Sequence, residues 1–240
     1  MMIAITILGA GLLAKKNRIP KIFGVFALLI ASQFHDLGFV FLLVIVPLSL
    51  IKLDTLIRYY KYFVFFLYGV AAFFMVNSDG IVINFFASFL SKFSSRDNSA
   101  DNVLTSFGRG SSHSTIIFVW ILLLLFSLVL TMFVKLLRKL NTGDENKIKL
   151  LFIGSASAML VVFLIVIAPD YSRISRNAFL FLIIMLCSIL EKKVVIHLNQ
   201  KNIEKAILVV FLFTFTAYVN TSIWGSTYYE SIPYLAKLEK

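Results

Sequence analysis

The stretch IIFVWILLLLFSLVLTMFV at 116–134 decides the fold class of this chain. Its 19 residues carry no charge, and about 20 apolar residues in a helix cross the hydrocarbon core of a bilayer. Four further apolar runs of 17 to 19 residues lie at 59–76, 150–168, 174–190 and 206–223. The 240 residues are 60% hydrophobic and 15% charged, with a mean hydropathy of +0.92. A soluble domain of this size has too little interior for that surface, so composition excludes a soluble globular enzyme and a disordered chain.

The fold predicted from these runs is all-α. We expect a polytopic transmembrane helical bundle that forms one integral membrane domain over 1–240, with the lipid bilayer as its solvent. About eight membrane segments are expected, and the first is 1–14. A small-residue patch, GSASA at 154–158, is predicted to be a helix–helix contact. The region 22–51 is interrupted by SQFHD at 32–36. A single helix there would be about 45 Å long, too long for a bilayer, so the alternative is a short broken or re-entrant pair.

Lysine and arginine residues favour the broken pair. Four basic connectors, at 15–21, 52–61, 135–149 and 191–205, hold 16 of the 23 basic residues. A hairpin with its tip at the SQFHD break places all four connectors on one side of the membrane. A single long helix would separate the first connector from the second. Because basic residues collect in cytoplasmic loops, we predict the hairpin and four cytoplasmic connectors.

The opposite, outer side receives the long loop 77–115 and seven basic residues, four of which are arginine. Within this loop, 81–93 has polar residues at helical spacing on an otherwise apolar segment. That pattern predicts an amphipathic helix at the outer membrane interface. The cytoplasmic charge bias does not explain the outer arginines, which are therefore candidates for function.

The sequence gives no support to metal or nucleotide chemistry. Cys187 is the one cysteine, and His35, His113 and His197 are scattered, so no cluster has the spacing of a zinc site. We therefore predict no metal and no cofactor. A net charge of +11 is typical of nucleic-acid-binding domains when a protein is soluble. Here the membrane topology explains the charge, and we predict no nucleic-acid partner.

The segment APDYSRISRN at 168–177 is the most informative for chemistry. It places Arg173 and Arg176 three residues apart at the outer start of a transmembrane helix. Asp170 and Asn177 share a face with Arg173 if this turn is helical. A helix N-terminus with two guanidinium groups suits a phosphate or pyrophosphate. Lipid head groups satisfy the same arginines equally well, and the residues alone leave both interpretations open.

Other polar groups are candidates for catalysis or substrate binding. His35 and Asp36 lie in the hairpin break, where polar groups are costly, and they could serve as a base or hold a sugar hydroxyl. The alternative is a loop histidine that caps a short helix. The C-terminal tyrosines could form a platform for sugar rings or an interfacial aromatic belt. The candidates for substrate binding are Arg96, Arg109, Asp170, Tyr171, Asn177, Tyr228, Tyr229 and Tyr234.

Three short motifs occur together in this chain: FHDLG at 34–38, YSRISRNAF at 171–179 and YYESIPY at 228–234. With them the chain resembles bacterial O-antigen or polysaccharide polymerases of the Wzy or EpsG-like family. The first motif is similar to their histidine beside a small residue, the second to their arginine segment entering a late helix, and the third to their aromatic ending. Such polymerases have ten or more spans and an N-terminal acidic and arginine motif. The resemblance is to their later part, and the N-terminal spans are expected to be missing.

The resemblance implies a glycosyltransferase-type enzyme in the bacterial inner membrane, with multiple passes. It would join oligosaccharide repeat units linked to undecaprenyl pyrophosphate on the outer face, in lipopolysaccharide or exopolysaccharide biosynthesis. Arg173 or Arg176 would stabilise charge on the leaving pyrophosphate, and His35 or Asp36 would take the proton of the acceptor hydroxyl. The donor is already activated, so no cofactor is implied. A chain-length regulator or other polysaccharide assembly proteins are the expected partners.

Two other functions stay open. A transporter or flippase for a lipid-linked sugar needs charged groups along a path through the bilayer, and the predicted spans hold almost none. A non-catalytic membrane subunit, or a truncated polymerase, is consistent with the short chain.

Overall fold

The computed structural model describes residues 1–34, 36–76, 88, 113–140, 145–167, 171–191 and 200–224. Within these ranges the chain is helical and has no strand, which confirms the all-α class. The α-helices are α1 (Met2–Leu13), α2 (Arg18–Phe34), α3 (Asp36–Ser49), α4 (Leu53–Val76), α5 (His113–Lys139), α6 (Glu145–Ala156), α7 (Val161–Ile167), α8 (Ser172–Leu190) and α9 (Gln200–Trp224). A 3-10 helix, Ser157–Leu160, joins α6 to α7.

Four helices in the described ranges are long and apolar enough to cross a membrane. They are His113–Lys139, Glu145–Val166, Ser172–Leu190 and Asn202–Val219. The prediction of about eight membrane segments is thus supported for four helices, and the higher count is not shown. α1 and α3 have 12 and 14 residues. At 1.5 Å per residue they are about 18 to 21 Å long, shorter than a hydrocarbon core of about 30 Å.

The fifth predicted run, 59–76, forms the later part of α4. That helix is not among the four, and its first half carries Asp54, Arg58 and Lys61. The predicted amphipathic helix 81–93 lies outside the described residues apart from Ser88, which is helical and exposed. The outer loop 77–115 therefore stays a prediction.

Small residues hold α1, α2 and α3 close together. A Cβ atom placed on Gly24 would lie 2.8 Å from the carbonyl oxygen of Gly9, so the backbones of α1 and α2 touch. A Cβ atom on Gly38 would collide with the backbone of Ala31, which shows an equally close approach of α2 and α3. The region 22–51 therefore holds the later part of one helix, which ends at Phe34, and a second helix that starts at Asp36 and packs on it. Their placement as a re-entrant pair in a membrane stays a prediction.

The centre of the bundle is formed by α5, by α6 with its 3-10 continuation, and by α8. A Cβ atom on Gly154 of α6 would lie 2.5 to 2.7 Å from ring atoms of Phe181 in α8. The neighbouring Ser155 and Ser157 are also buried. The predicted helix–helix contact at 154–158 is confirmed, because only small residues allow two helices to approach this closely.

The first three basic connectors meet at one end of the bundle, which we call the basic end. Arg138 of α5 donates to the carboxylate of Asp54 in α4 at 2.8 Å. Lys149 of α6 donates from Nζ to the carbonyl oxygen of Ser49 at 2.7 Å. The charge of Lys21 in α2 acts on the same lysine. These contacts bring the starts of α2, α4 and α6 to one end of the bundle.

The direction of each helix shows which helices start at or near the opposite end of the bundle. Helix α5 starts there, because it ends beside α4's first turn. Helix α8 also starts on that side, because α6 and α7 run away from the basic end before the chain reaches it. Helix α3 ends at the basic end and is about 21 Å long, so it starts about halfway along α5, which is about 40 Å long. We call this opposite end the arginine end after Arg173 and Arg176.

Helix α9 is the least packed of the four long apolar helices. Only 11% of the residues in its spanning window are buried, compared with 44% in α5 and in α8. It packs mainly against α5, through a narrow stripe that includes the buried Leu212 and Val219. Most of its surface is available to lipid.

Candidate anion-binding site

The first turns of α8 separate the two predicted arginines. Arg173 is exposed, whereas Arg176 is half-buried. Ser172 and Ser175 are buried on the same side of the helix as Arg176, because residues three and four apart share a helix face. Arg176 therefore belongs to the interior side of α8, and Arg173 to its outer surface.

Arg176 borders a small cavity between three helices. The cavity has a volume of about 10 Å³, which is space for about one water molecule. Its lining residues come from α5, α8 and α9, and they are Leu122, Leu123, Phe126, Ser175, Arg176, Phe179 and Thr216. The arginine is the charged member of a lining that is otherwise apolar or hydroxyl-bearing.

The cavity lies well inside the bundle. Leu122 is nine residues from the first residue of α5, and Thr216 is eight residues from the last residue of α9. At 1.5 Å per residue these separations correspond to about 12 to 14 Å. Helix α8 starts deeper than its neighbours, so its fifth residue, Arg176, lies below the rim of the arginine end.

The electrostatic character of this site is positive. A guanidinium group stays protonated in proteins, and the partial positive charge of the α8 N-terminus adds to it. Ser175 donates from Oγ to the carbonyl oxygen of Ser172 at 2.6 Å. The Ser172 hydroxyl is buried and has no hydrogen-bond partner within the described part of the chain. A half-buried cation in the second turn of α8, and in the first turn a buried hydroxyl with no partner among the described residues, suit an anion with several oxygens.

The structure tests only part of the predicted site. Tyr171 precedes α8, and both it and Asn177 are half-buried. Asp36 is the first residue of α3, but its side chain lies outside what the structure describes. The remaining predicted residues also lie outside the described ranges, and they are His35, Arg96, Arg109, Asp170, Tyr228, Tyr229 and Tyr234. In the described ranges, no group of three His, Cys, Asp or Glu residues is placed to hold a metal ion.

The sequence did not predict that residues of α5 and α9 line this site. Leu122, Phe126 and Thr216 lie in apolar runs whose composition does not distinguish a lipid-facing side chain from a cavity lining. The sequence does mark Ser172 and Ser175 as candidates for this site, because they alternate with the two arginines at the start of an otherwise apolar helix. Their contribution becomes visible only when their burial is known.

A pair of hydrogen bonds fixes the wall that α5 provides. The Tyr68 hydroxyl of α4 donates to the carbonyl oxygen of Trp120 at 2.6 Å. The Trp120 indole Nε1 in turn donates to the carbonyl oxygen of Val162, in α7, at 2.8 Å. The two rings also make an edge contact, with centroids 5.7 Å apart. Buried aromatic residues with a polar tip need such partners, and these bonds tie α5 to α4 and α7 at the level of the cavity.

Comparison with known proteins assigns no family. No protein-family model, curated protein or solved structure matches this chain. The resemblance to polysaccharide polymerases therefore stays a prediction from three short motifs. One of them, 171–179, lies fully within the described residues, and it forms the turn before α8 and the helix's first two turns.

Proposed function

We propose that this protein is a polysaccharide polymerase that joins lipid-pyrophosphate-linked oligosaccharide units at the outer face of a bacterial inner membrane. The observation that carries the proposal is the position of Arg176, a half-buried guanidinium bordered by leucine and phenylalanine. Ionisable residues are expensive inside membrane bundles and mark sites of ion, proton or substrate handling. The full count of about eight segments, including α1 to α4, is part of this proposal.

The proposed reaction transfers a sugar from one carrier lipid to the end of another chain. The bond between the anomeric carbon and the pyrophosphate oxygen breaks, and the acceptor hydroxyl oxygen forms the new glycosidic bond. Arg176 would stabilise the negative charge that grows on the leaving pyrophosphate. The hydroxyl proton would pass to His35 or Asp36 acting as a base. Arg173, at the outer surface of α8, would hold the lipid-borne phosphate before transfer.

The packing of α3 on α8 supports a shared depth for Asp36 and Arg176. The rings of Phe41 in α3 and Phe181 in α8 are 6.0 Å apart. Both helices run toward the basic end, and Asp36 and Arg176 each precede this contact by five residues. Five residues span about 7.5 Å along a helix, so the two backbones reach the same level. A base and a cation at one depth are what the proposed displacement requires.

The test is polymer length in a strain that lacks its own copy of this gene. The full chain carrying Arg176→Ala should leave single repeat units on the carrier lipid, with activity reduced about a hundredfold as for loss of one charge-stabilising donor. Arg173→Ala should shorten the polymer less, because this residue is exposed. Arg58→Ala, an exposed arginine of the basic end, is the matched control and should leave the polymer unchanged.

Membrane-fraction blots must show equal amounts of each variant. If chain length is unchanged in both Arg173→Ala and Arg176→Ala, the proposed site is wrong. Accumulation of untranslocated units on the cytoplasmic side would instead favour a flippase.

A further inference from the structure

We propose that α9 is the movable wall of the Arg176 site, and that a lipid-borne phosphate reaches Arg176 from the bilayer between α9 and α5. This inference rests on the proposed function, because it names the route by which the anionic substrate reaches that site. It commits to one class of ligand, a phosphate or diphosphate on a long apolar chain.

The size of the cavity requires that one wall moves. A volume of about 10 Å³ accommodates about one water molecule. A phosphate group has four oxygens around phosphorus and is several times larger than a water molecule. A phosphate that occupies this cavity beside Arg176 therefore needs a larger opening than the structure provides.

Helices α5 and α8, which form two walls of the cavity, pack against other helices on their sides away from it. Trp120 ties α5 to α7 through its bond to the Val162 carbonyl. Gly154 lets α6 lie directly on Phe181 of α8. The rings of Phe126 and Phe179, with centroids 5.5 Å apart, join α5 to α8 across the cavity lining. Moving either helix would disrupt close packing in the centre of the bundle.

Among the described helices, α9 packs closely only on α5, and ring contacts join its inner side to α8 (Phe179–Phe213, 5.1 Å) and to α5 (Phe118–Phe215, 6.4 Å). Only 11% of the residues in its spanning window are buried, and Val210 and Phe211 are exposed. Because the exposed side of α9 contacts lipid, displacement of α9 opens the cavity to the bilayer and not to the interior of the bundle. A substrate whose apolar chain already lies in the bilayer would approach from this direction.

Helix α9 also has a local weak point at the level of the site. The Thr216 hydroxyl donates to the carbonyl oxygen of Leu212 at 2.7 Å. The Thr214 hydroxyl donates to the carbonyl oxygen of Val210 at 3.0 Å. Hydroxyl bonds to the carbonyl four residues earlier compete with the helix ladder and often bend helices. Two of them in one turn, one at a cavity-lining residue, would favour bending of α9 beside Arg176.

The test locks α9 to α5 reversibly. Phe118 and Phe215 have ring centroids 6.4 Å apart, and neither residue lines the cavity. The full chain with Cys187→Ser, Phe118→Cys and Phe215→Cys would be treated with a short bifunctional methanethiosulfonate in phosphatidylcholine nanodiscs. The control pair is Phe74→Cys with Phe163→Cys, whose rings are 4.9 Å apart and which joins α4 to α7.

The readout is binding of a radiolabelled polyprenyl diphosphate mixed into the nanodisc lipid. Locking α9 should weaken binding at least tenfold, which corresponds to about 1.4 kcal/mol, and dithiothreitol should restore it. The locked control pair should bind as the untreated protein does.

The outcomes separate the two proposals. If Arg176→Ala binds the diphosphate as tightly as the parent chain, the proposed function fails. If Arg176→Ala weakens binding but the locked α9 does not, the site stands and the movable wall is wrong. Equal losses in the locked α9 and locked control pairs would also overturn the assignment to α9.

Discussion

The two ends of this bundle use the same kind of charge in opposite ways. At the basic end, Arg138 and Asp54 form an ion pair whose side chains are 45% and 64% exposed. At the arginine end, Arg176 is half-buried among apolar side chains. Exposed pairs contribute about 0 to 1 kcal/mol, since water and ions screen them. A half-buried cation bordered by apolar side chains is screened less, so its attraction for an anion is stronger.

The contrast shows that the surroundings of a basic residue matter more than the number of basic residues. The basic end holds many cations on exposed helix ends, which suits an orientation signal for insertion. At the arginine end, Arg176 lies in the second turn of α8, and the Ser172 hydroxyl of the first turn has no partner in the described part of the chain, which suits a ligand. Substitutions matched between the ends test this difference.

The largest effect is expected for Arg176→Met compared with Arg138→Met. Binding of a polyprenyl diphosphate in nanodiscs should weaken roughly ten- to a hundredfold in the first variant, because a charge-assisted hydrogen bond contributes about 1.5 to 3 kcal/mol. The second variant should bind normally. Equal losses of diphosphate binding in Arg176→Met and Arg138→Met would contradict the assignment of the ligand site to the arginine end.

The next largest effect is expected for Gly154→Val. The added carbons meet the Phe181 ring, and overpacking of this kind costs about 1 to 3 kcal/mol of unfolding free energy. Gly69→Val is the matched control, because a Cβ at Gly69 meets nothing within 4 Å. SDS titrations of both variants measure the effect. A smaller loss in Gly154→Val than in Gly69→Val would show that α6 and α8 are not held as closely as the structure indicates.

A smaller loss is expected for Lys149→Met at the basic end. The change removes the bond from Nζ to the Ser49 carbonyl oxygen, and we expect a loss of about 1 kcal/mol in unfolding free energy. Lys147→Met, at an exposed position of the same helix, should have no measurable effect. Substrate binding should be unchanged in both variants. A binding defect in Lys149→Met would contradict the assignment of ligand binding to the arginine end alone.

The smallest effect is expected for the exposed ion pair. A double-mutant cycle on Arg138→Ala and Asp54→Ala should give a coupling of about 0.5 kcal/mol or less, and it should shrink as salt is raised. A coupling above about 2 kcal/mol would mean that the basic end is far less hydrated than its exposure implies.

Much of the fold was predictable because hydropathy and charge act locally. The uncharged run 116–134 predicted α5, and the SQFHD break predicted that 22–51 would form two helices. The excess of apolar residues predicted about eight segments, of which four helices are long and apolar enough to cross a membrane, while α1 and α3 are shorter. They pack through Gly9, Gly24 and Gly38, and close helix packing depends on a partner surface that hydropathy does not describe.

The candidate site was predictable only as a segment. Residues 168–177 identified the start of α8 and both arginines, since cations at a helix N-terminus oppose the macrodipole and call for an explanation. The spacing of Arg173 and Arg176 suggested one shared face. The structure instead divides them between the surface and the interior, because α8 presents its serine side to α5 and α9.

By itself, the sequence determined that this is a helical chain with membrane-spanning character, and where its basic connectors and arginine segment lie, because each property depends on residues within one helix length. Only the tertiary structure decided that Arg176 and not Arg173 lies in the bundle, that Thr216 of α9 borders it, and that α9 is the loosest wall. Those relations join residues about 40 to 94 positions apart in the chain, and only packing brings such residues together.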